Sequence, residues 1–252
     1  MKLAEKTSMF MRPAVCLALL SCLIAGGAGA QTIEVVTEDG AYSYVRDGKV
    51  TGVASTIVEA TLREAGLTDY EMSLYPWARA YDRARMNADV LIYPIVRTAE
   101  RESLFKWVGQ ITRVDPQFYK LRERTDIVVK RVEDARGYSV GVVRDDMRQQ
   151  ALQAMGFTRM VVSATNAENF RKLLNRQVQL VPMPERDARL QAQAAHIAFS
   201  DLEAVYSLGD QGYSLYVAFS NTTSDEMVQR MVAAFERLKA NGTVQRLLDE
   251  DR

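Results

Sequence analysis

Short runs of β-branched residues alternate with amphipathic helical stretches along the chain, and this alternation limits the fold more than any other feature. Ile33–Thr37 has the composition of a buried strand. Residues 55–65 follow with apolar side chains at helical spacing, and Gly66 stands where helices commonly end. Strand and helix in alternation predict an α/β fold in which helices cover the sheets.

The first half of the chain completes a βαβαβ unit. A hairpin is predicted about Asp47-Gly48, because an Asp-Gly pair favours the tight turn between antiparallel strands. A strand at 71–74, a helix at 78–86 and a strand at 89–95 are predicted after it.

The second half repeats this scheme without repeating the sequence. The pattern predicts a strand at 138–143, a helix at 146–155 and a strand at 160–163. Residues 165–168 and 223–226 each have the spacing of a capping box, which predicts that a helix begins there. Asn241-Gly242 is predicted to end the second of these helices. Because no Ser/Gly-rich linker occurs, ordered strands are expected to join the two halves.

Residues 1–30 have the features of a secretory signal peptide. Basic residues precede a short apolar run, and an Ala-x-Ala motif ends at Ala30. The run is far shorter than the ~20 residues that span a bilayer, so an uncleaved anchor is the weaker interpretation. Lipidation at Cys22 is a second alternative, although Leu20 is an unusual residue in such a motif. We therefore expect export to the periplasm and a mature chain that begins at Gln31.

The predicted mature chain has a nearly balanced charge and no cysteine. The whole chain has 32 basic and 32 acidic residues, and cleavage removes three basic residues and one acidic residue, which leaves a net charge of −2. This balance argues against nucleic acid or an anionic membrane surface as a partner. Both cysteines, Cys16 and Cys22, lie in the predicted signal peptide, so no disulfide is expected in the mature chain.

Several motifs follow one another in a specific order. Asp47-Gly48-Lys49-Val50-Thr51-Gly52 precedes Tyr75-Pro76-Trp77-Ala78-Arg79, and Thr98-Ala99-Glu100-Arg101 lies about twenty residues further on. The chain closes with Leu238-Lys239-Ala240-Asn241-Gly242-Thr243. In this order and spacing, the motifs resemble the family 3 extracellular solute-binding proteins, the receptors of polar amino-acid transporters. The resemblance covers essentially all of the predicted mature chain.

The resemblance implies a two-lobed periplasmic binding protein fold of type II. Each lobe is then a sheet flanked by helices, and the chain crosses between the lobes twice. We place the crossings near 113–118 and 211–214, which assigns residues 31–113 and 214–252 to the first lobe and 114–213 to the second. In such a fold the ligand lies at the carboxyl ends of strands, between lobes that close over it by a hinge.

Two site residues are implied most directly. Arg101 matches the family arginine that holds a ligand carboxylate, and the planar fork of a guanidinium suits two carboxylate oxygens. The alternative is a surface arginine paired with Glu100 or Glu102. Trp77 matches an apolar or aromatic wall against the ligand, with ordinary core packing as its alternative.

Five further positions complete the candidate ligand site: Arg79, Arg97, Tyr42, Asp39 and Tyr93. The two arginines are included because arginines that converge on one cleft favour an anionic ligand, which relieves their repulsion. Tyr42 matches the aromatic of a Pro-Pro-aromatic segment, although the prolines are missing here. Asp39 stands where amino-acid receptors often have a stacking aromatic, and Tyr93 lies where they commonly have small hydroxyl residues.

One more departure concerns the partner of a ligand ammonium. The family places an acidic residue late in the second lobe, whereas here Pro184 occupies that position and Glu185 follows it. Glu185 would take this role only after a shift of the backbone. An α-amino acid and a related organic anion are therefore both candidate ligands.

The residues offer no catalytic constellation. The single histidine, His196, lies in an apolar stretch typical of a packed imidazole. The predicted mature chain has no cysteine nucleophile, phosphate loop or metal-binding spacing. Relatives of this fold include dehydratases that act on small carboxylated rings, which is the enzyme alternative. We predict a binding protein that is not an enzyme and uses neither cofactor nor metal.

The predicted partners are a small-molecule ligand and an ABC-type permease in the inner membrane, and the protein is expected to be a monomer. The alternative is a periplasmic sensor. Because no membrane segment follows the last helix before Arg252, such a sensor would signal through a separate membrane partner.

Overall fold

The computed structural model describes residues 32–209 and 212–251. The predicted signal peptide, its cleavage site and the alternative lipidation site at Cys22 lie outside the described residues. Within those two ranges, no helix combines the length and the apolar character needed to cross a bilayer.

The first half of the described chain contains six strands and two helices. In chain order they are β1 (Ile33–Thr37), β2 (Tyr44–Arg46), β3 (Lys49–Thr51), α1 (Val53–Glu64), β4 (Tyr70–Leu74), α2 (Trp77–Met86), β5 (Val90–Val96) and β6 (Phe105–Val114). A 3-10 turn at Ala99–Arg101 lies between β5 and β6.

The second half continues with five strands and three helices before the chain returns. These are β7 (Pro116–Leu121), β8 (Val140–Val143), α3 (Met147–Ala154), β9 (Met160–Ser163), α4 (Asn166–Leu174), β10 (Val181–Pro184), α5 (Glu185–Ala194) and β11 (Leu202–Ser207). The returning segment is β12 (Tyr213–Ser220), α6 (Asp225–Ala240) and α7 (Thr243–Glu250).

Two separate sheets divide the molecule into two lobes. The first is five-stranded, in the order β4-β1-β5-β12-β6, and the second is three-stranded, in the order β10-β7-β11 with the parallel pair β8-β9 beside it. We call the first sheet with the hairpin β2-β3, α1, α2, α6 and α7 the first lobe, and the remaining elements from β7 to β11 the second lobe. The chain passes between the sheets after β6 and again after β11, so the two-lobed α/β fold is confirmed. The residue limits of the lobes stay a prediction.

Helices bury their apolar faces on both sides of the first sheet. Leu62 of α1 and Phe235 of α6 are fully buried in one layer, and Ala80 of α2 packs in the other. Phe235 lies directly over the backbone of β6, where a Cβ at Gly109 would stand only 2.2 Å from the ring. The closely approaching ring therefore requires glycine at this position.

Most predicted elements of both halves are confirmed, with boundaries shifted by one to three residues. Asp47 and Gly48 both have positive φ, as the predicted tight hairpin requires. The second capping box is wrong by one residue: Ser224, rather than Thr223, accepts the hydrogen bond that caps α6, from Met227 N at 3.3 Å. The Thr223 hydroxyl is instead buried against Ser220.

The packed setting predicted for His196 is also wrong. His196 follows α5 with φ of 56° and is exposed. Helix α5 ends at Ala194, two residues before His196. The side chain of His196 therefore does not lie on the apolar face of this helix.

Candidate functional site

A cavity between the two lobes lies at the carboxyl ends of several strands. It has a volume of about 690 Å³, including solvent at its mouth. The first lobe contributes the loop after β1, the start of α2 and the turn after β5, and the second lobe contributes the first turns of α3, α4 and α5. Its polar and aromatic side chains are Glu38, Tyr42, Ser43, Trp77, Arg101, Asp146, Arg148, Asn166, Asp187 and Tyr213.

Arg101 lies in the wall of this cavity and is only 1% exposed. Its Nη1 donates to the carbonyl of Val96 at 3.1 Å, and its Nε has no hydrogen-bond partner within residues 32–209 and 212–251. The guanidinium carbon lies 5.4 Å and 4.9 Å from the ring centroids of Trp77 and Tyr81. Among the described residues, no carboxylate forms an ion pair with Arg101. Its charge is therefore held between aromatic faces and neutral oxygens, with donors left over.

The surface alternative for Arg101 does not hold. Glu102 pairs with Arg97, through hydrogen bonds of 2.7 and 2.5 Å, and not with Arg101. The short 3-10 turn directs Arg101 inward, beneath the start of α2, while its acidic neighbours face solvent.

Trp77 and Tyr42 also line the cavity. Trp77 is the first residue of α2 and is 3% exposed, so it belongs both to the cavity wall and to the core. Its Nε1 donates across the cleft to the carbonyl of Asp145 at 2.9 Å. Arg101 Nη2 donates to the same carbonyl at 3.4 Å. Trp77 therefore lines the cavity and packs in the core of the first lobe, and its contact with a ligand stays a prediction.

Asp145 accepts these two bonds because of its backbone conformation. It is an exposed residue with φ of 59°, in the left-handed region that non-glycine residues seldom adopt. This conformation lies between β8 and α3 and turns the carbonyl toward the first lobe. Left-handed aspartates of this kind are often found where function requires a particular backbone direction.

The other two candidate arginines lie away from the cavity. Arg79 is exposed on α2, with its guanidinium carbon 4.5 Å from the ring centroid of Tyr75. Arg97 is exposed beside Glu102 and stacks over Trp107 at 5.1 Å. The structure therefore does not bring Arg79, Arg97 and Arg101 together on one cleft.

Asp39 and Tyr93 are also outside the cavity lining. Asp39 is exposed, one residue beyond the cavity wall. Tyr93 is completely buried in the core of the first lobe, where its hydroxyl donates to Ser55 Oγ at 2.9 Å. A side chain as large as tyrosine at this strand position fills the layer under α1 instead of reaching a ligand.

Asp146 and Arg148 form a buried ion pair in the second lobe. Arg148 Nε and Nη2 donate to the two carboxylate oxygens at 2.7 and 3.0 Å, and Asp146 Oδ1 also caps α3 by accepting from Arg148 N at 2.7 Å. Burial opposes the charge on Asp146, but Arg148 outweighs it and holds the pKa of the Asp146 carboxyl below its ordinary value. Arg148 donates further to Asn166 and to the carbonyl of Pro182. The charge of Arg148 is thus neutralised within the chain.

Two other carboxylates in the cavity have no cationic partner in an ion pair among the described residues. The side chain of Glu38 accepts no hydrogen bond there, and burial, together with the nearby Asp146 and Asp187 carboxylates, raises the pKa of Glu38 to about 8. Asp187, in the first turn of α5, accepts a hydrogen bond from Ala41 N at 3.0 Å. Burial raises the pKa of Asp187 as well.

Asp187 is an acidic residue of the second lobe that lines the cavity and that was not predicted from the sequence. Glu185 is exposed and pairs with Arg189, whereas Asp187, two residues later, faces the cavity. Helix α5 begins at Glu185. Side chains two positions apart on a helix point in different directions, so Glu185 and Asp187 cannot both face the cavity. Glu38, Asp146 and Arg148 were likewise not predicted as site residues.

No cluster of three or more His, Cys, Asp or Glu side chains suited to a metal ion occurs among the residues described here. The three cavity acids face two arginines, and one of those acids is already paired.

Residues 33–250 match the sequence profile of the bacterial extracellular solute-binding proteins, family 3. The chain belongs to this family. The match covers nearly all of the described residues, which confirms the resemblance found in the motifs. No curated protein matches the chain.

Solved structures show the same fold at low sequence identity. A histidine kinase sensor domain with similarity to periplasmic binding proteins has a TM-score of 0.76 and 18% identity, over 87% of this chain and 95% of its own. The amino acid ABC transporter substrate-binding protein AbpA from Streptococcus pneumoniae, bound to L-arginine, has a TM-score of 0.73 and 19% identity, over 87% and 94%. The arginine-, lysine-, histidine-binding protein ArtJ from Geobacillus stearothermophilus has a TM-score of 0.74 and 18% identity, over 87% and 94%.

At these identities the likeness establishes the fold of the family 3 protein and leaves its ligand open. The family is one of binding proteins, found outside the bacterial cytoplasm. The neighbours include both transport receptors and a kinase sensor domain.

Proposed function

We propose that this family 3 protein is an exported receptor that closes its two lobes on a small ligand bearing both a carboxylate and a cationic group. An amino acid is the simplest ligand of this kind. The observation that supports the proposal most strongly is the set of ionisable groups that, among the described residues, have no ion-pair partner in one cavity: Arg101 on one side, and Glu38 and Asp187 on the other.

The carboxylate of the ligand is assigned to Arg101. This buried guanidinium has no carboxylate partner among the described residues and keeps spare donors, including an unpaired Nε. A bound carboxylate would supply the missing negative charge through paired hydrogen bonds. The aromatic rings of Trp77 and Tyr81 hold the guanidinium plane in place.

The cationic group is assigned to Glu38 and Asp187. With Asp146 and Arg148 paired, the cavity retains two acids against one arginine. Burial raises the pKa values of both acids, and a cationic group of the ligand would favour their ionised forms, whereas a ligand with anionic groups alone would leave them without a partner. This charge balance supports a zwitterionic or cationic ligand over the plain organic anion that the sequence also allowed.

Closure is supported by polar contacts that join the two lobes. The Trp77 indole and Arg101 donate to the carbonyl of Asp145, and the Asp187 carboxylate accepts from the backbone of Ala41. A ligand held by Arg101 and Asp187 together would contact both lobes, so its binding would favour the closed state over the open one.

Delivery to an ABC-type permease is the proposed role of the bound complex. It is supported by the family and by neighbours that are ABC transporter substrate-binding proteins. The second candidate is sensing through a separate membrane protein, which is supported by the likeness to the kinase sensor domain. An enzymatic role is not part of the proposal, because the family is one of binding proteins and the single histidine, His196, lies outside the cavity lining.

The ligand proposal is tested with matched ligand sets. Native mass spectrometry of the protein as purified identifies any retained ligand, and a thermal-shift screen then compares amino acids with their decarboxylated amines and their deaminated acids. A ligand at 100 times its dissociation constant stabilises by about 2.7 kcal/mol, which raises the melting temperature measurably. We expect stabilisation by amino acids and its loss when either charged group is removed. Stabilisation by dicarboxylic acids alone would contradict the proposal.

Export and delivery need separate tests. Intact mass of periplasmic protein should show a chain that begins at Gln31 without a lipid. Deletion of the gene should abolish uptake of the radiolabelled ligand if the protein serves transport. Unchanged uptake, together with loss of a transcriptional response to the ligand, would favour the sensor.

A further inference from the structure

Arg186 lies at the rim of the cleft, outside the cavity lining, and contacts the first lobe from the second. It is the second residue of α5, next to Asp187. Its Nε donates to the carbonyl of Ala41 at 3.2 Å, and its guanidinium carbon lies 4.9 Å from the ring centroid of Tyr42. Its Nη2 donates to the carboxylate of Asp251, just after α7 of the first lobe.

These contacts hold two separate segments of the first lobe. Consecutive residues of α5 bind both backbone polar groups of Ala41, because Asp187 accepts from its N–H and Arg186 donates to its carbonyl. Asp251 is far away in sequence and belongs to the end of the chain. By contrast, the ion pairs Arg83–Glu34 and Lys120–Glu203 each lie within one lobe.

The position of Arg186 is not explained by the stability of its own helix. Cations near a helix N-terminus face the positive end of the helix dipole, which disfavours them. Both neighbours of Arg186 in this first turn, Glu185 and Asp187, are acids of the favoured sign. Among the described residues, the hydrogen bonds, the ion pair and the cation–π contact of Arg186 are all with the first lobe.

We propose that Arg186 is a closure latch, which sets the fraction of ligand-free protein in the closed state by joining α5 to Ala41, Tyr42 and Asp251. The inference rests on the proposed function, since a latch requires that the lobes open and close. It goes beyond that function because Arg186 lies outside the cavity lining. Opening of the cleft must break its three contacts together, and their loss shifts the equilibrium toward the open state.

The chain offers a matched control on the same helix. Arg189 lies three residues beyond Arg186, pairs with Glu185 and stands 4.0 Å from the ring centroid of Phe199, so these contacts stay within the second lobe. Arg189→Ala removes the same type of side chain from α5 without removing a contact between the lobes.

The test measures the distance between two spin labels in ligand-free protein. Labels are placed at Val45, which is 54% exposed in the first lobe, and at the exposed Gln193 on α5. The predicted mature chain contains no other cysteine. Co-purified ligand is removed by unfolding and refolding, and its absence is checked by native mass spectrometry.

We expect Arg186→Ala to lower the ratio of short to long distances about fivefold to tenfold, the effect of losing one ion pair and one cation–π contact. Asp251→Asn should lower it less, in the same direction, and should have no further effect in the Arg186→Ala background. Arg189→Ala should match the wild type. If Arg186→Ala folds poorly, Asp251→Asn decides the question by itself.

Two results would overturn the latch: equal distance distributions in wild type, Arg186→Ala and Asp251→Asn, or equal lengthening in Arg189→Ala. A mixture of the twenty protein amino acids serves as the ligand probe. If that mixture neither binds the wild type nor shortens its distances, the proposed ligand class fails. The effect of Arg186→Ala in ligand-free protein still decides the latch.

Discussion

Two arginines, one fully buried and one largely buried, face the same cavity from opposite lobes, and their surroundings differ. Arg148, in the second lobe, is bound through two hydrogen bonds to Asp146 and donates to two further oxygens. Arg101, in the first lobe, is bound to backbone carbonyls and stacked near aromatic rings. The charge of Arg148 is compensated by Asp146, whereas Arg101 lacks a carboxylate partner among the described residues. The comparison indicates that Arg148 maintains the second lobe whereas Arg101 is available to a ligand.

The difference follows from local sequence. Arg148 stands two residues after the aspartate that caps α3, so the cap and the ion pair form together at the helix start. Arg101 stands in a 3-10 turn whose acidic neighbours face solvent. The two arginines therefore differ because the acid nearest to Arg148 in sequence, Asp146, is buried with it, whereas the acids next to Arg101 are exposed.

The largest expected effect is on stability at Arg148. Arg148→Met leaves the buried Asp146 carboxylate without its partner, and we expect the free energy of unfolding to fall by about 3 to 5 kcal/mol. Urea denaturation of ligand-free protein measures the change. The double variant Arg148→Met/Asp146→Asn should recover most of the loss, since asparagine keeps the helix cap and removes the charge. If the free energy of unfolding of Arg148→Met falls by less than about 1 kcal/mol, Arg148 does not stabilise the second lobe as proposed.

Much of this architecture was predictable from sequence, for specific physical reasons. The strand β1, the hairpin at Asp47-Gly48 and helix α4 depend on local signals, namely alternation, turn residues and a cap. The strand β10 was not predicted, since it contains two prolines. It forms an edge of the second sheet, where a missing N–H is tolerated.

The site was less predictable than the fold. Arg101, Trp77 and Tyr42 were found because motifs mark their positions, and all three line the cavity. Asp187 and Glu38 are about 150 positions apart in sequence and line the same cavity from opposite lobes, a proximity that no local pattern encodes. Single charged residues such as Arg79 and Arg97 give no local signal of whether they face a cleft or solvent.

The next largest effect is expected on ligand affinity at Arg101. Arg101→Ala should weaken binding of the ligand identified in the screen by about 2 to 5 kcal/mol, the range for truncating one partner of a buried charge pair. Arg101→Lys should recover part of it, because an ammonium keeps the charge but cannot match two carboxylate oxygens in a plane. Calorimetric titration measures both. The decarboxylated ligand analogue should bind wild type and Arg101→Ala alike, and an equal loss with that analogue would contradict the carboxylate assignment.

A smaller effect is expected on the pH dependence of stability. The cavity acids differ as the two arginines do, because Asp146 is paired with Arg148 whereas Glu38 has no ion-pair partner among the described residues. Burial raises the pKa of Glu38 from 4.5 to about 8, so folded protein holds a proton that the unfolded chain releases in this interval. The contribution of Glu38 to stability is therefore complete below pH 4.5 and is lost as the pH rises through about 8. Asp146, whose pKa is lowered, acts in the opposite sense and only at acid pH.

Glu38→Gln isolates this contribution. The variant should match the wild type near pH 4.5 and be more stable than it at pH 9, when both are compared by urea denaturation without ligand. Asp187 also has a raised pKa, so some pH dependence should persist in the variant. Parallel curves for wild type and Glu38→Gln across this range would show that Glu38 is not the unpaired acid described here.

The smallest expected effect is at Asp145, whose carbonyl accepts from Trp77 and Arg101 while its own side chain is exposed. Because the contact uses the backbone, Asp145→Gly should leave ligand affinity within about twofold and change the free energy of unfolding by under ~1 kcal/mol, as glycine readily adopts positive φ. Asp145→Val should cost about 1 to 2 kcal/mol, since a β-branched residue is disfavoured there. Titration and denaturation of both variants test whether the backbone alone positions Arg101. A large loss of affinity in Asp145→Gly would instead assign a direct role to the Asp145 carboxylate, and Arg101 would then have an acidic neighbour after all.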